Sequence, residues 1–201
     1  AGAARHGGGP GRAGDGAQEM TASASPDPVY LREIWNRVER AIETRWGIPV
    51  RITDVPNPFT GDLDGAEITV DHDVDIEDAL FILIHLFGHT VQWNVSMRAR
   101  EIAVARPAQW TAEAIAEVEE YERDACRLSL QLLHELGVRD LDQWVSDFAA
   151  CDLGYLLHFY RTGERGDFRS FWRSGTPLLT PLPIPEFHPT TWISRWQGTV
   201  I

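Results

Sequence analysis

The chain has 201 residues, 43% of them hydrophobic, which suits one domain with a full-sized core. Its 30 acidic against 18 basic residues give a formal net charge of −12, and without clustered cations this excludes nucleic acid and anionic membrane as expected partners, since both are gripped through phosphates. Every basic residue is Arg, so Schiff-base chemistry and a Walker-type lysine on a nucleotide phosphate are excluded too.

In chain order, residues 1–27 are rich in Gly, Ala and Ser, bury almost nothing, and are expected to form a disordered tail. A single domain is expected over 28–201. Its first helix, 29–46, places Leu31, Ile34, Trp35, Val38, Ile42 and Trp46 on one face and ends at Gly47, a natural C-cap. Two short extended runs, 48–53 and 66–71, follow and are expected to pair, joined by the turn-rich segment 54–65. The second helix starts at the cap Asp75 and runs to about Met97. Ile76, Leu80, Leu83 and Phe87 lie on one side of it, with Phe81, Ile82 and Trp93 on the others, the pattern of a central buried helix. A third helix runs from the cap Thr111 to Gly137, and a fourth from about Leu141 to Arg161. The remaining 176–201 form an irregular segment rich in Pro and aromatic residues, expected to pack on the domain. Phe187, Trp192 and Trp196 serve there as core cover or as a pocket lid, cover being the favoured reading. The predicted class is α+β: mainly helical, with a small two- or three-stranded sheet.

The chemistry centres on 85-HLFGH-89. Residues four apart on a helix stand one above the other, so His85 and His89 can aim both imidazoles at one point; they can equally be two separately satisfied core histidines. The third helix adds a signal. Ile115, Val118, Ala125, Ser129, Leu132 and Leu136 follow a 3-4 alternation whose missing member is Glu122. A carboxylate in a core-facing slot needs a metal, a proton or a cation such as Arg98 or Arg100. Two helical His and a Glu from a following helix form the ligand set of gluzincin-type zinc sites, with a fourth position open. The same set also describes a non-haem Fe²⁺ site.

The order helix, two strands, HxxxH helix, then a helix with Glu-x-x-Ala resembles the ImmA/IrrE-type family of small intracellular zincin metallopeptidases. The resembling residues are 85-HLFGH-89 and 122-ERDACRLS-129, and the likeness spans about 29–136. It implies a zincin-like fold with His85, His89 and Glu122 as ligands of Zn²⁺. The chain departs from the family at Leu86, which stands where HExxH has its catalytic glutamate. A substitute base is then sought at Glu119 and Asp124, which flank Glu122, or at His188 and His158.

The expected function is therefore a metal-dependent enzyme, Zn²⁺ first and Fe²⁺ as the alternative, performing Lewis-acid hydrolysis, elimination or cyclisation on a small-molecule or peptide-like substrate. The competing reading is a non-catalytic, metallopeptidase-like binding or regulatory protein. Cys126 and Cys151 are isolated, no apolar run reaches the ~18 residues of a membrane span, and no signal-peptide centre is visible, so a cytoplasmic location is expected. The Arg-only cations with heavy Ala, Gly and Pro usage suggest a GC-rich, actinobacterial genome.

Overall fold

The computed structural model describes residues 26–192 apart from 57–58 and 106–109, so the expected tail lies almost wholly outside it, as does Trp196. Helix α1 (Pro28–Trp46) begins at Asp27, whose side chain accepts from the Val29 amide, and ends at Gly47. Its buried face holds Leu31, Ile34, Trp35, Val38, Ala41 and Ile42, the stripe expected from the sequence with Ala41 added, while Trp46 at the helix end is only partly buried against the core.

Strands β1 (Val50–Thr53) and β3 (Ile68–Asp71) pair in parallel, Val50 opposite Ile68. The segment between them supplies a third strand, β2 (Gly61–Leu63), antiparallel to β3, and the order is β1-β3-β2. Propensity conceals β2, because Gly and Asp are poor strand residues. It survives because Gly61 lets the strand lie close on the next helix. A Cβ there would sit 2.8 Å from side-chain atoms of both Ile82 and Leu86.

Helix α2 (Ile76–Val95) starts at Asp75, which accepts from the Glu77 and Asp78 amides, and every residue from Ala79 to Val91 is buried. It touches α1, β2, β3, α3 and α4 and is the axis of the domain. The expected single helix to Met97 is interrupted. Ser96 is extended and caps a new helix, α3 (Met97–Val104), by accepting from the Ala99 amide. Helix α4 (Ala112–Glu135) starts at its Thr111 cap and packs against α2, and α5 (Asp142–Thr162) packs against α4. A 3-10 turn at Phe168–Phe171 lies on α5.

The irregular segment up to Trp192 is fastened at points. Asp147 accepts from the Gly175 and Thr176 amides, and the Leu182 amide bonds to the Arg127 carbonyl. Phe187 is buried and stacks on Trp46. Trp192 donates through Nε1 to Asn94 and through its amide to the Asp64 carbonyl. Phe187 thus acts as core cover. Among the described residues no helix is long and apolar enough to cross a membrane.

Candidate metal centre

The site exists because two helices come very close. Gly88 of α2 faces the backbone of Ala125 on α4, and a Cβ on Gly88 would collide with the Ala125 carbonyl. One turn further along α4, Ser129 Oγ donates to the carbonyls of Ile84 (2.7 Å) and Ala125 (2.8 Å), tying the helices together. The small residues of the Glu-x-x-Ala stretch are therefore what bring Glu122 to the histidines. His85 Nε2 and His89 Nε2 lie 2.9 Å apart, and Glu122 Oε2 lies 3.2 Å from the first and 3.0 Å from the second. All three side chains are buried.

Three electron-rich atoms this close need a shared proton or a cation among them. Zn²⁺ bonds of about 2.0–2.1 Å in a tetrahedral site separate neighbouring ligand atoms by about 3.3 Å, so the triangle is the right size for one ion. The surroundings fit as well. Gln92 Nε2 donates to the Tyr121 carbonyl, which leaves Gln92 Oε1 to accept from His89 Nδ1 at 2.9 Å. That hydrogen bond keeps the proton on Nδ1 and frees the lone pair of Nε2. His85 Nδ1 contacts Cys126 Sγ at 3.2 Å; burial, then Asp152 and Glu122, push this thiol well above its usual range, so it stays protonated. The rings are fixed by stacking, His85 on Phe81 and His89 on Tyr121.

Burial alone would raise the Glu122 carboxyl, but charge and hydrogen bonding from the two imidazoles override it and hold the group at about 2. It is ionised, and its partners are the histidines. The alternative arginines are engaged elsewhere: Arg98 pairs with Glu117 and Glu101, and Arg100 donates to the Trp93 carbonyl and lies over the Trp192 ring. Among the described residues the other close set of metal-type ligands, Asp71, His72 and Asp73, is partly or fully exposed.

The four substitute bases expected from the sequence are not brought to this cluster. Glu119 pairs with Arg123 and Asp124 with Arg127. His158 packs its ring against Phe171, and His188 is exposed in the irregular segment. Leu86 is buried against Gly61. The carboxylate that does arrive is Asp152 of α5, 2% exposed, with Oδ2 3.9 Å from His85 Nε2 and no hydrogen bond among the described residues. Burial pushes its carboxyl up to about 7, against the pull of His85 and with the push of Glu122. The signal that marked Glu122 marks it too. Leu141, Val145, Phe148 and Tyr155 alternate 4-3-7, and Asp152 fills the missing apolar slot.

Asp152 lines two cavities. One, about 220 Å³, also reaches His85 and is walled by Phe81, Ile82 and Phe148; the other, about 120 Å³, reaches Glu122 and Cys126. The cluster is thus buried yet bordered by open space on two sides. No protein-family model, curated protein or solved structure matches this chain.

Proposed function

We propose that the chain is a metal-dependent enzyme in which His85, His89 and Glu122 hold one divalent ion, Zn²⁺ in first place and Fe²⁺ as the alternative, and Asp152 carries the proton that the missing HExxH glutamate would carry. The observation that supports this most directly is the pairing of a ligand-sized triangle with a buried carboxylate that has no hydrogen bond among the described residues, 3.9 Å from His85 Nε2. A bound divalent ion would supply Lewis acidity, lowering the pKa of a water and polarising a carbonyl. Asp152 Oδ2 takes the proton from the attacking water and returns it to the leaving atom. Gln92 keeps His89 in the ligating tautomer, and the aromatic walls around His85 exclude bulk water.

The sequence resembles the zincins in element order, yet a compact substrate fits better than an extended peptide. The cavity beside His85 is about 220 Å³, and β2, the sheet edge touching α2, is buried at all three residues, so a peptide finds no free strand on the side of the sheet that meets the HxxxH helix; the exposed edge, β1, lies beyond β3. Hydrolysis of a small amide or ester is the favoured reaction, with elimination or cyclisation as related outcomes.

Metal analysis of the full chain, purified without chelators and after adding back Zn²⁺ or Fe²⁺, tests the reading. About one ion per chain is expected in the wild type, with loss in Glu122→Ala. Asp152→Asn should keep the metal and lose about 10²–10⁴ in hydrolysis across a panel of small amides and esters. A wild type that binds no metal sinks the proposal, and loss of metal in Asp152→Asn would make that residue a ligand rather than the base.

A further inference from the structure

The cavity that ends at His85 has a distinct chemical character at its far end. Asp78 stands there, two turns before His85 on α2 and so about 10 Å from it along the axis. The rings of Phe81, Phe148 and Phe168 form the walls, and the carboxylates of Asp78 and Asp152 face the space with no guanidinium lining it among the described residues. Two carboxylates in an aromatic enclosure repel an anion and leave a neutral ligand without a partner for either charge.

One cation of the chain already meets three of these residues from outside the cavity. The guanidinium of Arg169, on the 3-10 turn, pairs with Asp78 and lies 5.2 Å above the Phe148 ring and 5.9 Å above Phe168. Those distances are within cation–π range. Arg169 approaches from the solvent side, 42% exposed, and its pairs with Asp78 and, at 3.6 Å, with Glu77 are of the weak surface kind that exchanges easily. Burial raises the Asp78 carboxyl even with Arg169 beside it, so this group gains from a better-desolvated cation.

We propose that the cavity takes a small organic cation, an ammonium or guanidinium on a compact apolar or aromatic body, which displaces Arg169 from Asp78, its counter-ion, and from the faces of Phe148 and Phe168. The size agrees: about 220 Å³ is roughly one and a half times the ~150 Å³ apolar cavity that admits benzene, so the body is one ring with a short arm. This deepens the reading above, because the charged end sits at Asp78 while the reacting end reaches His85 and Asp152.

Calorimetric titration of the full chain, stripped of metal, with benzylammonium, benzyl alcohol and phenylacetate tests it. Benzylammonium should bind about tenfold tighter than benzyl alcohol, with phenylacetate weakest. Asp78→Asn should erase that preference, and Arg169→Ala should tighten benzylammonium several-fold by removing the internal competitor. Should Asp78→Asn not fold, the Arg169→Ala result alone decides. Equal binding of the three probes, or phenylacetate binding that Arg169→Ala abolishes, overturns the proposal. These probes report on Asp78 without a metal, so their failure leaves the metal assignment standing, and failure of the metal analysis leaves the cation site standing.

Discussion

Gly88 and Ala125 meet backbone to backbone across α2 and α4, and this approach sets the distance from His89 to Glu122. Gly88→Ala is therefore expected to damage both stability and metal binding. Alanine is the better helix former by about 1 kcal/mol, but its Cβ would push against a carbonyl rather than a flexible side chain, and such overpacking costs about 1–3 kcal/mol or more. The steric cost wins. Denaturant midpoint and metal content should both fall; unchanged metal content would show that the helix spacing does not govern the site.

Gln92 fixes the His89 tautomer through its side-chain oxygen while its nitrogen is held by the Tyr121 carbonyl. Replacing it with Leu removes the acceptor and leaves the ligands in place. Metal affinity is expected to drop about 10–100-fold, the usual effect of losing such a supporting group. Competition with a metallochromic chelator measures it. The melting temperature of the metal-free protein should change little, which separates this effect from misfolding.

Asp147 gives a pH signature. Burial pushes its carboxyl up, but hydrogen bonds from the Thr176 hydroxyl and amide, the Gly175 amide and Gln143 outweigh burial and hold it below the usual range. A carboxyl whose folded pKa lies below its unfolded value of about 3.9 binds fewer protons when folded. Its stabilising contribution is complete above that value and disappears as pH falls through the folded pKa. Asp147→Asn should cost about 1–3 kcal/mol at neutral pH. The gap between wild type and variant should close below about pH 4. Urea unfolding at stepped pH checks this, and a gap independent of pH would contradict it.

Leu86→Glu rebuilds HExxH in sequence without rebuilding its surroundings. Leu86 is 1% exposed and fills the space against Gly61 of β2, so a glutamate there loses apolar packing and becomes a buried carboxylate. The expected result is a loss of several kcal/mol, measured by chemical denaturation, with no casein hydrolysis in either protein. Casein hydrolysis by the wild type would mean that Leu86 marks no change of chemistry.

The sequence by itself determined the helices, most of their ends and the HxxxH-to-Glu122 pattern, because these are local: capping side chains, 3.6-residue periodicity, and a carboxylate in an apolar slot. It missed the break at Ser96, where one serine caps a new helix inside an otherwise continuous pattern. It allowed for a third strand but did not place β2, whose Gly and Asp are chosen for contact with α2 rather than for strand propensity. Asp152 carried the same periodic signal as Glu122, but nothing in the order of residues says that α5 lies beside His85. Candidates chosen for nearness in sequence, Glu119 and Asp124, went to arginines on their own helix at i+4 and i+3 instead. Only the tertiary structure decided which carboxylate sits next to the cluster, because that depends on how α5 packs on α4, and packing direction is fixed by shape and burial summed over the whole core.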